Sequence, residues 1–229
     1  MTENNRKQQS RDEGLKSLLL RARTTSPRFR MPFLAEDTER MMLAAYEAEV
    51  ESRGNAFLDD DHIRNVIATV SRELSGNMPK AGMFLCGMCG NGKTTMLLAF
   101  QNLLNLLTDR GYFKMLNDYG LQTRISVKSA VDIMDMARDD KRSYRMLRER
   151  SMLAIDDLGR EDVNLREYGN NTSPIIDLIE FRYREQLFTA VSSNLTPREI
   201  TEKYGIRVAD RFREMFIVVP FTKETSYRK

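Results

Sequence analysis

Residues 87–94 read Gly-Met-Cys-Gly-Asn-Gly-Lys-Thr, and this stretch decides the fold. It satisfies every fixed position of the phosphate-binding pattern G-x-x-x-x-G-K-[ST], also called Walker A. The apolar residues 83–86 before it predict a strand, and the pattern of residues 93–107 after it predicts a helix. Glycines let backbone N–H groups surround phosphate oxygens, and the helix N-terminus adds positive potential. With both flanking elements in place, a nucleotide-phosphate site is favoured over a chance match.

Each side chain of this loop has an expected partner. Lys93 should reach the β- and γ-phosphates of a nucleotide, and the Thr94 hydroxyl should ligate Mg²⁺. We therefore predict ATP and Mg²⁺ as the bound groups. The predicted nucleotide contacts are Gly87, Met88, Cys89, Gly90, Asn91, Gly92, Lys93, Thr94 and Thr95.

Short apolar runs alternate with helical patterns on both sides of the loop. Predicted strands are residues 83–86, 124–127, 152–155, 188–191 and 216–221. Predicted helices are residues 36–53, a segment capped by 59–61 and ending at 76, 93–107, one beginning near 129, 175–186, 197–204 and 208–215. Continuously apolar strands separated by helices indicate an α/β fold, in which about five parallel strands are covered by helices on both faces.

The composition excludes several classes of protein. The chain has 229 residues, of which 41% are hydrophobic and 30% charged, and no apolar stretch of about 18 residues could span a membrane. The two cysteines, Cys86 and Cys89, cannot form a disulfide framework. A zinc or redox reading of this C-x-x-C is rejected because no second cysteine pair exists and His62 is the only histidine. With no apolar leader near residue 1, we expect a cytoplasmic protein.

Charge is unevenly distributed along the chain. Residues 1–30 hold eight Lys or Arg against three Asp or Glu, although the whole chain carries a formal net charge of only +3. We predict a flexible basic arm at residues 1–33 and an ATPase domain with two leading helices at 34–229. The arm could contact nucleic acid or an acidic partner, or it could simply be solvated. A short leucine stripe within it could be a docking helix or part of a disordered arm: Leu15, Leu18, Leu19 and Leu20.

Acidic and amide side chains follow two of the predicted strands. Asp156 and Asp157 end the strand that begins at residue 152, as in a Walker B element, where a carboxylate on a neighbouring strand holds the metal. We expect Asp156 to hold Mg²⁺ and Asp157 to orient or deprotonate the attacking water. The alternative is a capping pair of aspartates. Asn194 follows the next strand and could sense a γ-phosphate, or it could belong to a turn before Pro197.

A series of motifs resembles the DnaC/IstB-like AAA+ ATPases, which include bacterial helicase loaders and transposition helper ATPases. The resemblance covers roughly residues 60–229 and implies an AAA+ core of five strands without a separate helical lid domain. Its motifs are residues 87–94, 153–159, 193–197, 204–212 and 226–228.

The resemblance also implies roles for individual residues and partners. It makes Asn194 a sensor of the γ-phosphate, Arg211 an arginine finger reaching a neighbouring subunit's ATP, and Arg228 a second sensor. It implies slow ATP hydrolysis stimulated by assembly or DNA, a nucleotide-dependent homo-oligomer, and single-stranded DNA with a replicative helicase or a transposase as partners. A nucleotide-gated adaptor that hardly hydrolyses ATP is the alternative. Arg207 and Arg213 are close enough in sequence to be mistaken for the finger.

Two features leave the partner open. The family's helicase loaders carry a distinct N-terminal helicase-binding domain, whereas only about 35 residues precede the first predicted body helix here. Residues 138–150 hold six basic and three acidic residues around Tyr144. This segment could line a pore and stack a DNA base on Tyr144, but intermixed acids favour a solvated helix.

Overall fold

The computed structural model describes residues 13–18, 28–76, 80–113, 123–162, 165–167, 170–223 and 227. The helices are Ala35–Glu51 (α1), Asp61–Ser75 (α2), Lys93–Asp109 (α3), Ala130–Asp139 (α4), Lys141–Arg148 (α5), Pro174–Arg184 (α6), Pro197–Tyr204 (α7) and Ile206–Met215 (α8). The strands are Gly82–Gly87 (β1), Ser126–Ser129 (β2), Met152–Leu158 (β3), Leu165–Glu167 (β4), Asn170–Thr172 (β5), Phe188–Ser193 (β6) and Phe216–Phe221 (β7).

Five strands form one parallel sheet in the order β2-β3-β6-β1-β7, which confirms the predicted α/β fold with a five-stranded parallel sheet. Because the strands are parallel, the carboxyl ends of β1, β3 and β6 meet at one edge of the sheet. Ligands of open α/β sheets bind at this edge. No helix in the described part of the chain is both long and apolar enough to cross a membrane.

Helices cover both faces of the sheet. One hydrophobic cluster joins the sheet to α1, α2 and α3, and a second joins it to α4, α6, α7 and α8. This burial on both faces explains why β1, β3 and β6 read as continuous apolar runs. The short β4 and β5 pair with each other as an antiparallel hairpin that the sequence did not predict.

The predicted helix beginning near residue 129 is in fact two helices. Ser129 caps α4, and Asp140 then accepts a hydrogen bond from Ser143 N at 3.0 Å and caps α5. Because the Asp140 side chain caps the N-terminus of α5, a second helix starts there instead of a continuation of α4. Hydrophobic periodicity alone does not reveal this break between the two helices.

The body begins before residue 34, contrary to the predicted boundary. Phe29 and Met31 are 3% and 1% exposed, and the Phe29 ring lies 5.3 Å from the ring of Phe188. Met31 N also donates to Leu74 O at 2.8 Å. These residues were missed because an extended segment with two isolated apolar side chains has no helical periodicity, and its arginines dominate the local composition.

The remainder of the predicted arm lies mostly outside the described residues. Residues 13–18 are helical, and Leu15 and Leu18 are exposed, so the part of the leucine stripe that the structure describes is not packed in the core. Leu19 and Leu20 lie outside the described ranges. Whether the arm is flexible therefore stays a prediction.

Candidate nucleotide-binding site

The predicted phosphate loop lies between β1 and α3, at the carboxyl edge of the sheet. Gly92 has φ of 96°, and a Cβ there would lie 2.1 Å from the hydroxyl oxygen of Tyr46. Gly87 has φ of 149°, and a Cβ there would lie 2.2 Å from the carbonyl oxygen of Phe221. Both positions therefore need glycine for backbone conformation and for space.

Lys93 is held inside this loop. Its Nζ donates to the carbonyl oxygens of Gly87 at 2.8 Å and Met88 at 2.7 Å, and to Asn91 Oδ1 at 3.1 Å. Burial lowers the pKa of the Lys93 ammonium, while the charge of Asp157 opposes that shift. Asn91 Nδ2 also donates to Phe221 O at 2.8 Å, which ties the loop to β7.

Thr94 and Asp156 meet across the edge of the sheet. The Thr94 hydroxyl donates to Asp156 Oδ1 at 3.0 Å, and the Ser192 hydroxyl donates to the same oxygen. Ser192 Oγ accepts from Asp157 N at 2.9 Å, so this residue of β6 orients both aspartates. Its short polar side chain inside an apolar strand was the only sequence signal for that role.

This donor set fits Mg²⁺ bound with a nucleotide. A hydroxyl and one carboxylate are hard oxygen ligands, and Mg²⁺ usually takes one or two carboxylates together with phosphate oxygens and water. No group of three or more potential metal ligands occurs among the described His, Cys, Asp and Glu residues. These described residues therefore do not form a site that would hold a metal ion without a nucleotide.

Asp157 has an unusual backbone conformation, with φ of 54°, at the register shift of β3 against β6. A non-glycine residue in this region carries strain, and such residues cluster at functional sites. Arg160 Nη1 donates to Asp157 Oδ2 at 2.9 Å, although this arginine is well exposed. Solvent screening makes such a pair weak, so it can be exchanged for another partner.

A cavity of about 410 Å³ opens beside these residues, which is a usual size for a small-molecule site. We use the name phosphate end for the lining residues that come from the phosphate loop, α3, β3 and the residues after β3 and β6: Cys89, Gly90, Gly92, Lys93, Thr94, Thr95, Asp157, Arg160 and Asn194. We use the name base end for the other lining residues: Tyr46, Val50, Arg53, Asn55, Ala56, Phe57, Leu58, Ile63 and Tyr227. The base end is mostly apolar and aromatic, which suits a nucleobase, and the sequence did not identify it.

The predicted nucleotide and catalytic residues are thus largely brought together. Asn194 is exposed at the end of β6 and lines the cavity. Met88 is 61% exposed at the tip of the loop and contributes its carbonyl oxygen to Lys93. Cys86 is half-buried and Cys89 is exposed, and both are free thiols.

Arg211 lies elsewhere, on α8, and does not line the cavity. Its guanidinium lies 4.6 Å above the ring of Tyr183 on α6. Arg207 pairs with Glu180 at 2.8 Å and Arg213 with Asp210 at 2.8 Å, whereas Arg211 makes no ion pair with the described residues. Of the three arginines, Arg211 is the one that can leave its contact without abandoning a carboxylate.

Two further predicted groups have different outcomes. Arg228 lies outside the described residues. The preceding residue, Tyr227, lies at the phosphate loop, because its backbone N–H donates to Gly90 O at 2.9 Å.

Tyr144 is half-buried, and its hydroxyl donates to Pro174 O at 2.8 Å. The Tyr144 hydroxyl therefore bonds within the protein, and the alternative in which a DNA base stacks on its ring stays a prediction.

Similar folds occur among solved structures of replication proteins. The DnaC helicase loader superposes with a TM-score of 0.54 at 17% identity, over 79% of this chain and 98% of that one. DnaI gives 0.51 at 18% identity, over 72% and 87%. A candidate primosome component of Streptococcus pyogenes serotype M3 gives 0.50 at 18% identity, over 76% and 85%.

These likenesses confirm the expected fold, a five-stranded parallel sheet flanked by helices that is similar to the folds of DnaC and DnaI. No model of a known protein family matches the chain, and no curated protein sequence matches it significantly.

Proposed function

We propose that this protein is a cytoplasmic AAA+ ATPase of DNA replication, which assembles on single-stranded DNA and delivers a replicative helicase. The observation that carries the ATPase part is the placement of the Thr94 hydroxyl 3.0 Å from Asp156 Oδ1, beside Lys93 and at one end of a nucleotide-sized cavity. The helicase-loader part is supported by the likeness to the DnaC helicase loader and by the motif order described above.

The chain's own residues would divide the work of hydrolysis. The loop N–H groups and Lys93 bind the phosphates, and Asn194 orients the γ-phosphate or the attacking water. Asp157 accepts a proton from that water through its carboxylate, once Arg160 has moved to another partner. When bound at Thr94 and Asp156, Mg²⁺ would neutralise charge on the phosphate oxygens.

Arg211 completes the site from a neighbouring subunit in this proposal. Its position outside the cavity of its own subunit supports an action in trans, and its lack of a carboxylate partner within the described residues leaves its charge available. An arginine placed on the transferring phosphoryl group stabilises charge that develops there. Hydrolysis would then require a nucleotide-dependent homo-oligomer, and Arg228 would sense the γ-phosphate from the chain's C-terminal segment.

A nucleotide-gated adaptor is the second candidate, and one observation favours it. Asp157 is a short side chain on a strained backbone and is already paired with Arg160. If that pair persists with ATP bound, the protein would bind ATP and change partner affinity with little turnover. A transposase in place of the helicase would make the protein an IstB-like transposition helper.

One assay separates these candidates. ATP binding and phosphate release are measured for the purified chain alone, with single-stranded DNA, and with DNA plus the candidate helicase. Stimulated turnover with helicase delivery supports the loader. ATP binding with no turnover under all conditions supports the adaptor, and stimulation by a transposase instead of the helicase supports the transposition helper. Absence of ATP binding rejects all three.

A further inference from the structure

A cluster of three side chains joins distant parts of the chain beside the cavity. Asp60 caps the N-terminus of α2, accepting from Ile63 N at 2.9 Å. The same carboxylate accepts from the Tyr227 hydroxyl, with 2.9 Å to Oδ1 and 2.8 Å to Oδ2, and from Lys223 Nζ. The Lys223 ammonium also lies 3.8 Å from the centre of the Tyr227 ring. We call Asp60, Lys223 and Tyr227 the clasp.

The clasp reaches the phosphate loop through the backbone. Tyr227 N donates to Gly90 O at 2.9 Å, while its side chain is held by Asp60 and lines the base end of the cavity. One residue thus contacts the loop at one side and the start of α2 at the other. The N-cap of α2 follows the segment that supplies Phe57 and Leu58 to the base end.

The Asp60 carboxylate is well suited to hold such a link. Burial raises its pKa, but hydrogen bonds from Lys223, Ile63 and Tyr227 outweigh burial and lower the pKa to about 2. The group is therefore an anion at all physiological pH values. A carboxylate offers about four acceptor positions, and three donors from two segments, the start of α2 and the residues after β7, use them here.

We propose that Asp60 is a positioning residue for nucleotide binding, which holds Tyr227 against Gly90 so that the two ends of the cavity keep a fixed separation. This inference rests on the proposed nucleotide site and adds a residue that does not itself contact the nucleotide. Its action passes through the Tyr227 hydroxyl to the phosphate loop.

Charge and positioning predict opposite changes in ATP affinity when the Asp60 carboxylate is removed. Asp60 places a negative charge near a cavity built for an anion, so its removal should by charge tighten ATP binding. If the clasp positions the cavity walls, its removal should weaken binding instead. The sign of the change in affinity therefore distinguishes the two.

The test uses Asp60→Ser and Tyr227→Phe, with Asp59→Ser as the matched control. Serine is a good N-cap, so Asp60→Ser retains the cap of α2 while losing the contacts to Lys223 and Tyr227. Tyr227→Phe keeps the ring and the backbone bond to Gly90 and loses only the hydroxyl. Asp59 is the preceding aspartate, and its partner is the exposed Arg64 at 2.5 Å.

We expect each clasp variant to weaken both ATP and ADP binding about threefold to tenfold, which is the contribution of a single hydrogen bond. The double variant should be no worse than the weaker-binding single variant, because both substitutions break one link. Turnover of Asp60→Ser at saturating ATP should stay within about twofold of wild type, because Asp60 does not line the cavity, and Asp59→Ser should bind like wild type. The measurements are fluorescent-nucleotide titrations and steady-state kinetics on the full chain.

Several results would overturn the clasp. Unchanged or tighter binding in Asp60→Ser and Tyr227→Phe would reject it, and additive losses would show that the two residues act separately. If Asp60→Ser does not fold, Tyr227→Phe decides alone. Failure of the wild type to bind ATP would reject the proposed function as well, whereas normal wild-type binding with unaffected variants would reject only the clasp.

Discussion

The two ends of the cavity differ in how the chain builds them. At the phosphate end, most contacts come from residues 87–95 and from the residues that follow two neighbouring strands of one sheet. At the base end, eight of the nine wall residues lie between Tyr46 and Ile63, on α1, the connection before α2 and α2 itself, and only Tyr227 comes from a distant segment. The phosphate end offers charged and polar groups in a fixed loop, which concentrates binding energy in a few residues. The base end offers mostly apolar side chains that share the contact among many residues, so we expect single substitutions there to have smaller effects.

The largest effect is expected from Arg211→Ala. The ATP bound by a subunit is held by that subunit's own phosphate loop and not by its Arg211, so ATP binding should remain near wild type. Turnover should fall by roughly three powers of ten, which is the lower range for an arginine finger. Arg207→Ala and Arg213→Ala are the matched controls, because both arginines lie on α8 and already pair with carboxylates. A normal rate in Arg211→Ala with a loss in either control would move the finger to that residue.

Mixing variants tests whether Arg211 acts in trans. Arg211→Ala offers an intact phosphate end, and Lys93→Ala offers an intact finger, so one working site can form at their shared interface. Activity of the mixture above the sum of its parts would support assembly-dependent hydrolysis. A silent mixture, under conditions where sizing shows mixed oligomers, would contradict it.

Lys93→Ala should abolish tight ATP binding, with a loss of about a hundredfold or more, because a charge-assisted phosphate contact is removed. Lys80→Ala is the matched control at the other edge of the sheet, where Lys80 Nζ donates to the carbonyl oxygens of Arg213 and Phe216 at 2.6 and 3.0 Å. It should lower stability without changing ATP affinity. Equal affinity in the folded Lys93→Ala would remove the phosphate-loop assignment.

Replacing Asp156 by alanine and replacing Asp157 by alanine should have different effects on ATP binding and turnover. Asp156→Ala should weaken ATP binding about tenfold in the presence of Mg²⁺, and by much less with EDTA. Asp157→Ala should leave binding unchanged and slow turnover about a hundredfold, since it removes a base. Titrations with and without Mg²⁺, together with single-turnover rates, check both. Equal binding losses would show that the two carboxylates are wrongly assigned.

At the base end, Phe57→Ala should weaken ATP and ADP binding by only about fivefold. The Phe57 ring packs edge-on against Tyr46 at 6.1 Å, and one aromatic contact contributes about 1 kcal/mol. Tyr112→Ala is the control, because this aromatic side chain also packs on another ring, Phe33 at 5.4 Å, but does not line the cavity. A loss as large as that of Lys93→Ala would contradict the contrast between the two ends.

The smallest effect on ATP affinity is expected from removing the N-terminal segment. Deleting residues 1–27 should leave both ATP affinity and melting temperature near wild type, while weakening partner or DNA binding. Deleting residues 1–33 should lower the melting temperature markedly, since losing a buried Phe29 and Met31 costs several kcal/mol. Calorimetry of the two truncations checks this boundary. Equal melting temperatures of the two truncated proteins would place the start of the folded domain at residue 34.

The sequence predicted the phosphate end because its chemistry is local. The backbone conformation that cradles phosphates needs glycines at fixed spacing, and a parallel sheet places the residues after β1, β3 and β6 together once the strands are identified. The fold class and the positions of Lys93, Thr94, Asp156 and Asn194 therefore followed from a linear pattern. Their catalytic roles stay predictions.

Only the tertiary structure decided the rest. The base end, the clasp, the orienting role of Ser192 and the burial of Phe29 depend on packing between segments that are distant in sequence, and no local periodicity encodes which of them meet. Tyr144 illustrates the same limit, because its sequence context favoured a solvated helix over a DNA contact but did not reveal that its hydroxyl donates to a carbonyl of α6. Hydrophobic contacts between distant segments have no fixed spacing along the chain, because the hydrophobic effect is non-directional. Which segments share a surface is therefore decided only when the whole domain folds.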